Sequence, residues 1–277
     1  MNRESKPSMR MRMVDRMSDR DTLWHIATYA VSIAALLLLW EIASVIIFHV
    51  KGRAFLPNPV QAIAEMVRLG PLLFRNFWIS AWRLVLAILI AFAAGYPLGL
   101  LSGHERRLDR LISPIIYIVY PIPQVAFILI LFLIFGIGNP VKVAIVALAL
   151  FFQILVSARG AAKQIQEEHV MSVLSAGATR WQVYWHVVLP ATLPSILTSL
   201  RVSVGLGMAF LYIAETTGAF DPRQQGLGRF IETNQYNSQQ AFAGILAMAL
   251  LGLILYILID VIERIVCRWR YTSRRPS

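Results

Sequence analysis

The sequence contains few charged residues for its length. Aspartate, glutamate, lysine and arginine make up 15% of the 277 residues, whereas soluble domains carry about 25%. Hydrophobic residues reach 57%, and they are concentrated in long runs. This composition excludes an ordinary soluble protein and predicts a helical protein that crosses a membrane several times.

Cysteine and the motifs of several enzyme classes are also missing or rare. Cys267 is the single cysteine, which excludes an intramolecular disulfide and a cysteine-based metal cluster. No Gly-x-x-x-x-Gly-Lys-Ser/Thr segment offers a phosphate-binding loop for ATP. The five histidines form no His-Glu-x-x-His pair, and no Gly-x-Ser-x-Gly segment occurs. We therefore expect no catalytic residue, no metal and no cofactor in this chain, and we disfavour a membrane-embedded enzyme.

Six apolar runs approach the length of about 20 residues that a helix needs to cross a membrane. Proline and glycine separate several of them, as expected where helices stop or turn. The sequence thus predicts an all-α membrane protein with about six transmembrane helices, roughly Ile26–Val50, Arg83–Leu101, Ile115–Phe135, Val141–Ala158, Ser195–Ala214 and Ala241–Ile262.

The net charge of +11 follows the membrane topology. With the amino terminus inside, seventeen basic residues fall in cytoplasmic segments and seven in outer segments, which favours both termini in the cytoplasm. This distribution explains the charge without nucleic acid as a partner. We predict a basic, disordered tail over residues 1–24, a membrane domain over residues 25–266 and a second basic cytoplasmic tail over residues 267–277.

A loop of unusual character, residues 159–190, separates the fourth and fifth predicted spans. Apolar residues recur in it at steps of three and four, from Val170 to Val188, which predicts one short amphipathic helix. Small residues at Ser175–Ala178 allow a sharp bend or the close approach of another backbone. Pro190 is expected to end the helix before the next span. Periodicity alone leaves open an interfacial helix that only anchors the bundle through Trp181 and Trp185.

The spacing of Gly177, nine residues, Val187, any residue and Leu189-Pro190 resembles the cytoplasmic loop of binding-protein-dependent ABC importer permeases. That family carries Glu-Ala-Ala where this sequence has Met171-Ser172-Val173. Further segments are similar, in the same order, to the subgroup of nitrate, sulfonate and taurine permeases. They include Leu56-Pro-Asn-Pro59, Gly95-Tyr-Pro-Leu-Gly99, Leu189-Pro-Ala-Thr-Leu-Pro194 and Gly226-Leu-Gly228.

The resemblance implies a type I ABC importer permease bundle in a bacterial inner membrane. Two permease copies, expected to be a homodimer, would form the pathway, and a substrate-binding protein would dock outside. ATP and Mg would be bound by two partner ATPase subunits. The residues implied to contact that ATPase are Ser175, Ala176, Gly177, Ala178, Thr179, Arg180, Leu189 and Pro190. The implied cargo is a small anion such as a sulfonate, taurine or nitrate.

Charged residues at membrane depth are costly and therefore candidates for function. Arg83 and Arg201 are expected near helix ends, where long side chains reach water easily, and each fits an anchor or a pathway role. Glu215 resembles a position near the pathway in the subgroup, and with Thr216 and Thr217 it could gate the outer mouth. A plain outward-facing helix end is the alternative. An ion-coupled secondary transporter is the rival function, but it predicts inverted repeats with broken helices, which the sequence does not show.

Overall fold

The computed structural model describes residues 9–52, 55–218 and 224–272, and helices account for nearly all of them. Over these residues there is no β-strand, and the all-α class is confirmed. Within the same ranges, five helices are long and apolar enough to cross a membrane, and a sixth crossing results if one bent helix pair counts as a span. The chain divides into two compact units, residues 1–64 and residues 65–277, which we describe separately.

The first unit consists mainly of α1 (Met9–Lys51), whose apolar part, Ala27–Lys51, is a candidate span. The segment after α1 folds back along it, because the Trp40 indole donates to the Pro57 carbonyl at 3.0 Å and Ser44 Oγ donates to the Leu56 carbonyl at 2.8 Å. Residues 9–24 are helical, where the sequence predicted disorder. Their methionines and arginines are strong helix formers that extend the apolar helix backwards. Residues 1–8 of the predicted tail lie outside the described residues.

Asn58 starts the short helix α2 (Pro59–Arg68). Its side chain accepts a hydrogen bond from the Gln61 amide at 2.7 Å, and Pro59 occupies the first helical position, where its missing N–H costs nothing. Apolar residues at helical spacing after Leu56-Pro-Asn-Pro59 predict a short helix lying on the membrane surface. The helix is confirmed, while its position on the membrane surface stays a prediction.

The second unit holds the remaining helices around one apolar core. The central helix, α6, packs most extensively on α3 and then on α9, and α11 covers the other side of α9. In order, the helices are α3 (Gly70–His104), α4 (Arg106–Val119), α5 (Ile128–Phe135), α6 (Asn139–Lys163), α7 (Glu167–Ser175), α8 (Arg180–Val183), α9 (Leu189–Thr216), α10 (Leu227–Thr233), α11 (Ser238–Val266) and α12 (Arg268–Thr272).

The predicted third span, Ile115–Phe135, is not a single straight helix. The chain bends by 90° between Arg106–Val119 and Gln124–Phe135, and a short 3₁₀ turn, Gln124–Phe127, precedes α5. Pro121 and Pro123 lie in the break, where each removes an amide donor and disfavours helical geometry in the residue before it. The hydrophobic run alone predicts a continuous span and does not reveal this break.

Glycines bring α3 and α6 into very close contact. Gly95, Gly99 and Gly103 recur every fourth residue on one face of α3. An added Cβ at Gly99 would lie 2.5 Å from Ala158 Cβ, and one at Gly103 would lie 2.5 Å from the Arg159 carbonyl oxygen. Such small-residue stripes permit tight packing of membrane helices, and here they fix α3 against the helix that leads into the loop of residues 159–190.

Candidate functional site

The segment of residues 159–190, here called the 159–190 segment, is built from three consecutive helical pieces. α6 continues as far as Lys163, α7 runs from Glu167 to Ser175, and α8 begins at Arg180. Val170, Val173 and Leu174 of α7 pack against the core of the bundle. The predicted amphipathic helix is therefore two helices joined by a turn.

Gly177 forms the turn that ends α7. Its φ of +89° lies in the left-handed region, which glycine adopts without steric cost. The Gly177 amide donates to the Leu174 carbonyl at 2.9 Å, and the Ala178 amide donates to the Val173 carbonyl at 3.3 Å. These two bonds form a Schellman motif, which satisfies the last carbonyls of the helix. A Cβ at Gly177 would meet no atom within 4 Å, so the residue serves conformation rather than packing within this chain.

Thr179 starts the next helix immediately after this turn. Its hydroxyl accepts a hydrogen bond from the Gln182 amide at 3.4 Å, and the Thr179 amide donates to Gln182 Oε1 at 2.7 Å. This reciprocal arrangement is a capping box. Gly177 thus ends α7 and Thr179 starts α8, and local hydrogen bonds on each side hold the turn between them.

The helix that follows does not stop at Pro190. Arg180–Thr216 is continuous, and residues Tyr184–Val188 form a π-helical turn that leads directly into α9. The expected interruption at Pro190 is therefore wrong. A widened turn accommodates the missing N–H of a proline, and Pro190 sits at the start of α9, where it is tolerated. Motion at the turn around Gly177 can consequently act on a membrane helix without an intervening break.

The structure brings most of the predicted coupling residues together. Ser175, Ala176, Gly177, Thr179 and Arg180 are exposed around one turn, and Ala178 is half-buried. Leu189 and Pro190 lie apart from them, half-buried in the first turn of α9. The Trp181 and Trp185 rings pack edge to face with their centroids 5.8 Å apart, and both are exposed. The same helix is therefore also compatible with the interfacial anchor that the sequence left open.

A cleft of about 630 Å³ opens between the 159–190 segment and the turn from α3 to α4. Arg106 and Glu167 form an ion pair at 3.3 Å between charged groups at its edge. On its wall, Asp109 of α4 accepts from Arg159 at 2.7 Å and from Lys163 at 2.6 Å. This carboxylate joins α4 to the end of α6, and no pattern in the sequence identifies it.

Arg83 and Glu215 form a wholly buried ion pair between α3 and α9, at 2.7 Å from Nη1 to Oε1. The guanidinium also donates to Asn139 Oδ1 and to the Gln224 carbonyl. Arg83 lies inside α3, which begins at Gly70. The predicted span began at Arg83 because a charge was not expected in its interior, and the pairing with Glu215 explains why the helix tolerates it.

The segment after α9 folds over this ion pair. The Gly228 amide donates to Glu215 Oε2 at 2.7 Å, and the Leu227 amide donates to Ser80 Oγ, which in turn donates to the Glu215 carboxylate. An added Cβ at Gly226 would lie 2.0 Å from Glu215 Oε1. Gly226 and Gly228 therefore leave room for the Glu215 side chain where the chain crosses it, which explains the two glycines of the motif physically.

Thr216 and Thr217 do not join this network. Each hydroxyl donates to carbonyls of its own helix, at Tyr212 or Ile213. Ser80 and Asn139 do complete it, although neither was a candidate. Ser80 could have been found, because it lies three positions before Arg83 and thus on the same helix face.

Arg201 joins α9 to the end of α11. Its guanidinium pairs with Asp260 and lies 3.7 Å from the Glu263 carboxylate, and it stands 5.4 Å over the Tyr256 ring. Glu263 also accepts from Arg270 at 2.8 Å and is buried. The charges of Asp260, Glu263 and Arg264 near the end of the last apolar run predict a solvated cluster. For Glu263 this prediction is wrong, because α9 and α12 cover it. Over the described ranges, no group of three or more His, Cys, Asp or Glu side chains could hold a metal.

Comparison with protein families gives one match that covers most of the second unit. Residues 95–266 match the model of the family described as binding-protein-dependent transport system inner membrane component. The taurine transport system permease protein TauC of Escherichia coli is 30% identical over 248 residues, which are 86% of this chain and 88% of that protein. The formylaminopyrimidine transport permease protein ThiX of Halalkalibacterium halodurans is 29% identical, over 85% of this chain and 92% of that one.

Solved structures show the same fold. A chain of the MetNI methionine ABC transporter in an inward-facing conformation superposes with a TM-score of 0.59 at 22% identity, covering 73% of this chain and 97% of that one. A chain of a bacterial ABC transporter involved in the import of the polysaccharide alginate gives 0.58 at 16% identity, over 88% and 98%.

Proposed function

Because the chain belongs to the family of binding-protein-dependent transport system inner membrane components, we propose that it carries a sulfonate-type anion across a bacterial inner membrane. Membership makes it an ABC importer permease for a small solute. The permeases of taurine in E. coli and, at 27% identity, the putative aliphatic sulfonates permease SsuC of Bacillus subtilis support the narrower class. ThiX, which is named for the transport of formylaminopyrimidine, is a relative that argues for a different solute.

Coupling to a separate ATPase is the second part of the proposal, and the exposed turn at Gly177 is the observation that carries it. The turn is fixed by its own hydrogen bonds and leads without a break into α9. A rigid projection on a continuous helix transmits displacement to the bundle, whereas a flexible loop would absorb it. Met171-Ser172-Val173 stands where the family has Glu-Ala-Ala, which leaves the shape of the turn as the main recognisable feature.

The family supports the assembly that we propose. Two copies of this chain form the pathway, two ATPase subunits bind ATP and Mg at the cytoplasmic side, and a substrate-binding protein delivers the solute from outside. Both termini lie in the cytoplasm, as the excess of basic residues in the corresponding segments favours. The chain itself performs no hydrolysis in this scheme, and no residue of it is assigned to catalysis.

A substitution series at Gly177 tests the coupling. Gly177→Asn preserves the left-handed turn at small cost, because asparagine tolerates this conformation, while Gly177→Val opposes it. Both add side-chain atoms to the surface. If the shape of the turn determines coupling, Gly177→Val should strongly reduce both the uptake of radiolabelled taurine and co-elution with the ATPase in mild detergent. Gly177→Asn should reduce both less. Equal and severe losses would indicate instead that the partner contacts the glycine surface directly.

Gly160→Ala is the matched control, since Gly160 lies within α6, has no positive φ and a Cβ there meets no atom within 4 Å. It should leave uptake unchanged. Unimpaired uptake and ATPase co-elution with Gly177→Val would contradict the coupling role. Taurine uptake that is absent from the unmodified transporter, while another solute is carried, would reject the sulfonate class and leave the coupling result intact.

A further inference from the structure

Four polar side chains lie in a connected row on three helices of the second unit. Tyr120 OH, at the end of α4, is 3.5 Å from Gln153 Oε1 on α6. Ser157 follows Gln153 by four positions and therefore shares its helix face. Ser157 Oγ is 2.8 Å from Ser199 Oγ on α9. We refer to Tyr120, Gln153, Ser157 and Ser199 as the Gln153 patch.

The patch is accessible, although Gln153, Ser157 and Ser199 lie within helices that are candidate spans. Tyr120 is exposed, and Gln153, Ser157 and Ser199 are half-buried, whereas the adjacent Ile154 and Leu155 are buried in the core. Accessible amide and hydroxyl groups at such depth are unfavourable against lipid tails. They must therefore face either another protein surface or water.

The patch retains hydrogen-bonding capacity that the chain does not use. Among the residues that the structure describes, Gln153 Nε2 has no acceptor, and the contact between Ser157 and Ser199 employs only one of the two hydroxyl hydrogens. An amide nitrogen carries two donors and a serine hydroxyl one. These unused neutral donors therefore favour contact with a ligand outside this chain.

Fixed positive charges in the neighbourhood are already neutralised. Arg159 and Arg201, each two positions from a serine of the patch, pair with Asp109 and Asp260. An anion in contact with the patch would meet neutral donors rather than an unpaired guanidinium. Such contacts bind weakly, and a transport pathway needs binding weak enough for release.

We propose that the Gln153 patch lines the translocation pathway and contacts the solute during passage, selecting small molecules with several hydrogen-bond acceptors, such as the three oxygens of a sulfonate. This inference rests on the proposed function, which assigns no residue to the solute. The patch differs from the pathway candidates taken from the sequence, because Arg83 and Glu215 are buried against each other and Thr216 and Thr217 bond to their own helix.

Accessibility to a water-soluble thiol reagent tests whether the patch faces water. Ser157→Cys and Ser199→Cys are introduced singly into a Cys267→Ala background and assembled with the ATPase in membrane vesicles. We expect the anionic reagent sulfonatoethyl methanethiosulfonate to modify both, and taurine to slow the reaction. Leu253→Cys, exposed on the apolar face of α11, is the control that lipid should protect. Absence of labelling at both serines, or spontaneous disulfides between two copies at Ser199→Cys, would overturn the proposal.

Uptake by Gln153→Leu tests the contact with solute. The substitution keeps the approximate size and removes the amide, so we expect about a tenfold lower rate of taurine uptake, the effect of losing one or two hydrogen bonds in passage. The amount of inserted protein and its co-elution with the ATPase should not change. Normal taurine uptake by this variant would overturn the proposal. If unmodified transporter carries no taurine, the sulfonate class fails, and the labelling result still decides whether the patch faces water.

Discussion

The Arg83 guanidinium donates a hydrogen bond to the Glu215 carboxylate at 2.7 Å, and neither side chain has exposed surface. The pair joins α3 to the end of α9, and Asn139 at the start of α6 shares the guanidinium. Because Gly228 also donates to the carboxylate, one ion pair fixes three long helices and the start of α10. We infer that it is primarily a structural clamp at this end of the bundle.

Removing one partner of the pair should be more harmful than removing both. Arg83→Met or Glu215→Met alone leaves a buried charge without compensation, which costs about 3–5 kcal/mol in other proteins. The double variant leaves no such charge. Thermal unfolding of the four proteins in one detergent measures the coupling. Effects that simply add would contradict the clamp, and Thr216→Val, whose hydroxyl bonds only its own helix, should change stability by less than about 0.5 kcal/mol.

A methyl group at Gly226 should also disrupt the contacts of the Arg83–Glu215 pair, because it would crowd the Glu215 carboxylate. Gly226 has an ordinary extended conformation, with φ of −93°, so Gly226→Ala introduces no backbone strain. Its Cβ would lie 2.0 Å from Glu215 Oε1, and the carboxylate or the segment must move. We expect a clearly lower unfolding temperature. Gly205→Ala, on α9 with no atom within 4 Å of the added Cβ, should be neutral or stabilising by up to about 1 kcal/mol. Equal effects of the two substitutions would show that the contact is not constraining.

Local signals in the sequence were sufficient for much of the fold. The spans emerged from hydrophobic runs, and Gly177 was recognised as the site of a bend. The capping box at Thr179 and Gln182 could also have been found, because threonine followed by glutamine three positions later is a recognised helix start. So could the stripe of Gly95, Gly99 and Gly103, whose spacing predicts a close helix contact.

The long-range pairings could not be found in this way. Arg83 and Glu215 are separated by 132 positions, and nothing in either segment indicates its partner. Single charges next to apolar runs were therefore interpreted as helix ends, although Arg83 and Arg201 lie inside helices. The π-helical turn before Pro190 was missed for a related reason, since a proline normally marks an interruption unless the preceding turn can widen.

The glycine stripe of α3 leads to a packing prediction. Gly99→Val places atoms against Ala158 and the Leu155 carbonyl, where even a Cβ would approach to 2.5 and 2.6 Å. The helices must separate, so we expect poor assembly or rapid aggregation in detergent, measured by gel filtration. A compensating change to glycine at Ala158 should recover little, because the Leu155 backbone remains in the way. Normal elution of Gly99→Val would show that α3 and α6 do not pack this closely.

The turn at Gly177 also depends on the cap at Thr179. Substitutions at Thr179 can therefore distinguish the effect of a rigid turn from the effect of the side chains on its surface. Thr179→Ala removes the cap, which typically costs about 1 kcal/mol and should open the first turn of α8 about fivefold more often. Thr179→Ser keeps the hydroxyl and should behave as the unmodified chain. Hydrogen exchange at the Gln182 amide, which donates to the Thr179 hydroxyl, is the direct measurement. If uptake falls with this exchange in the alanine variant and neither changes in the serine variant, the rigidity of the turn controls coupling. If exchange rises while uptake is unaffected, the ATPase imposes the conformation itself, and the preformed turn is not needed for transport.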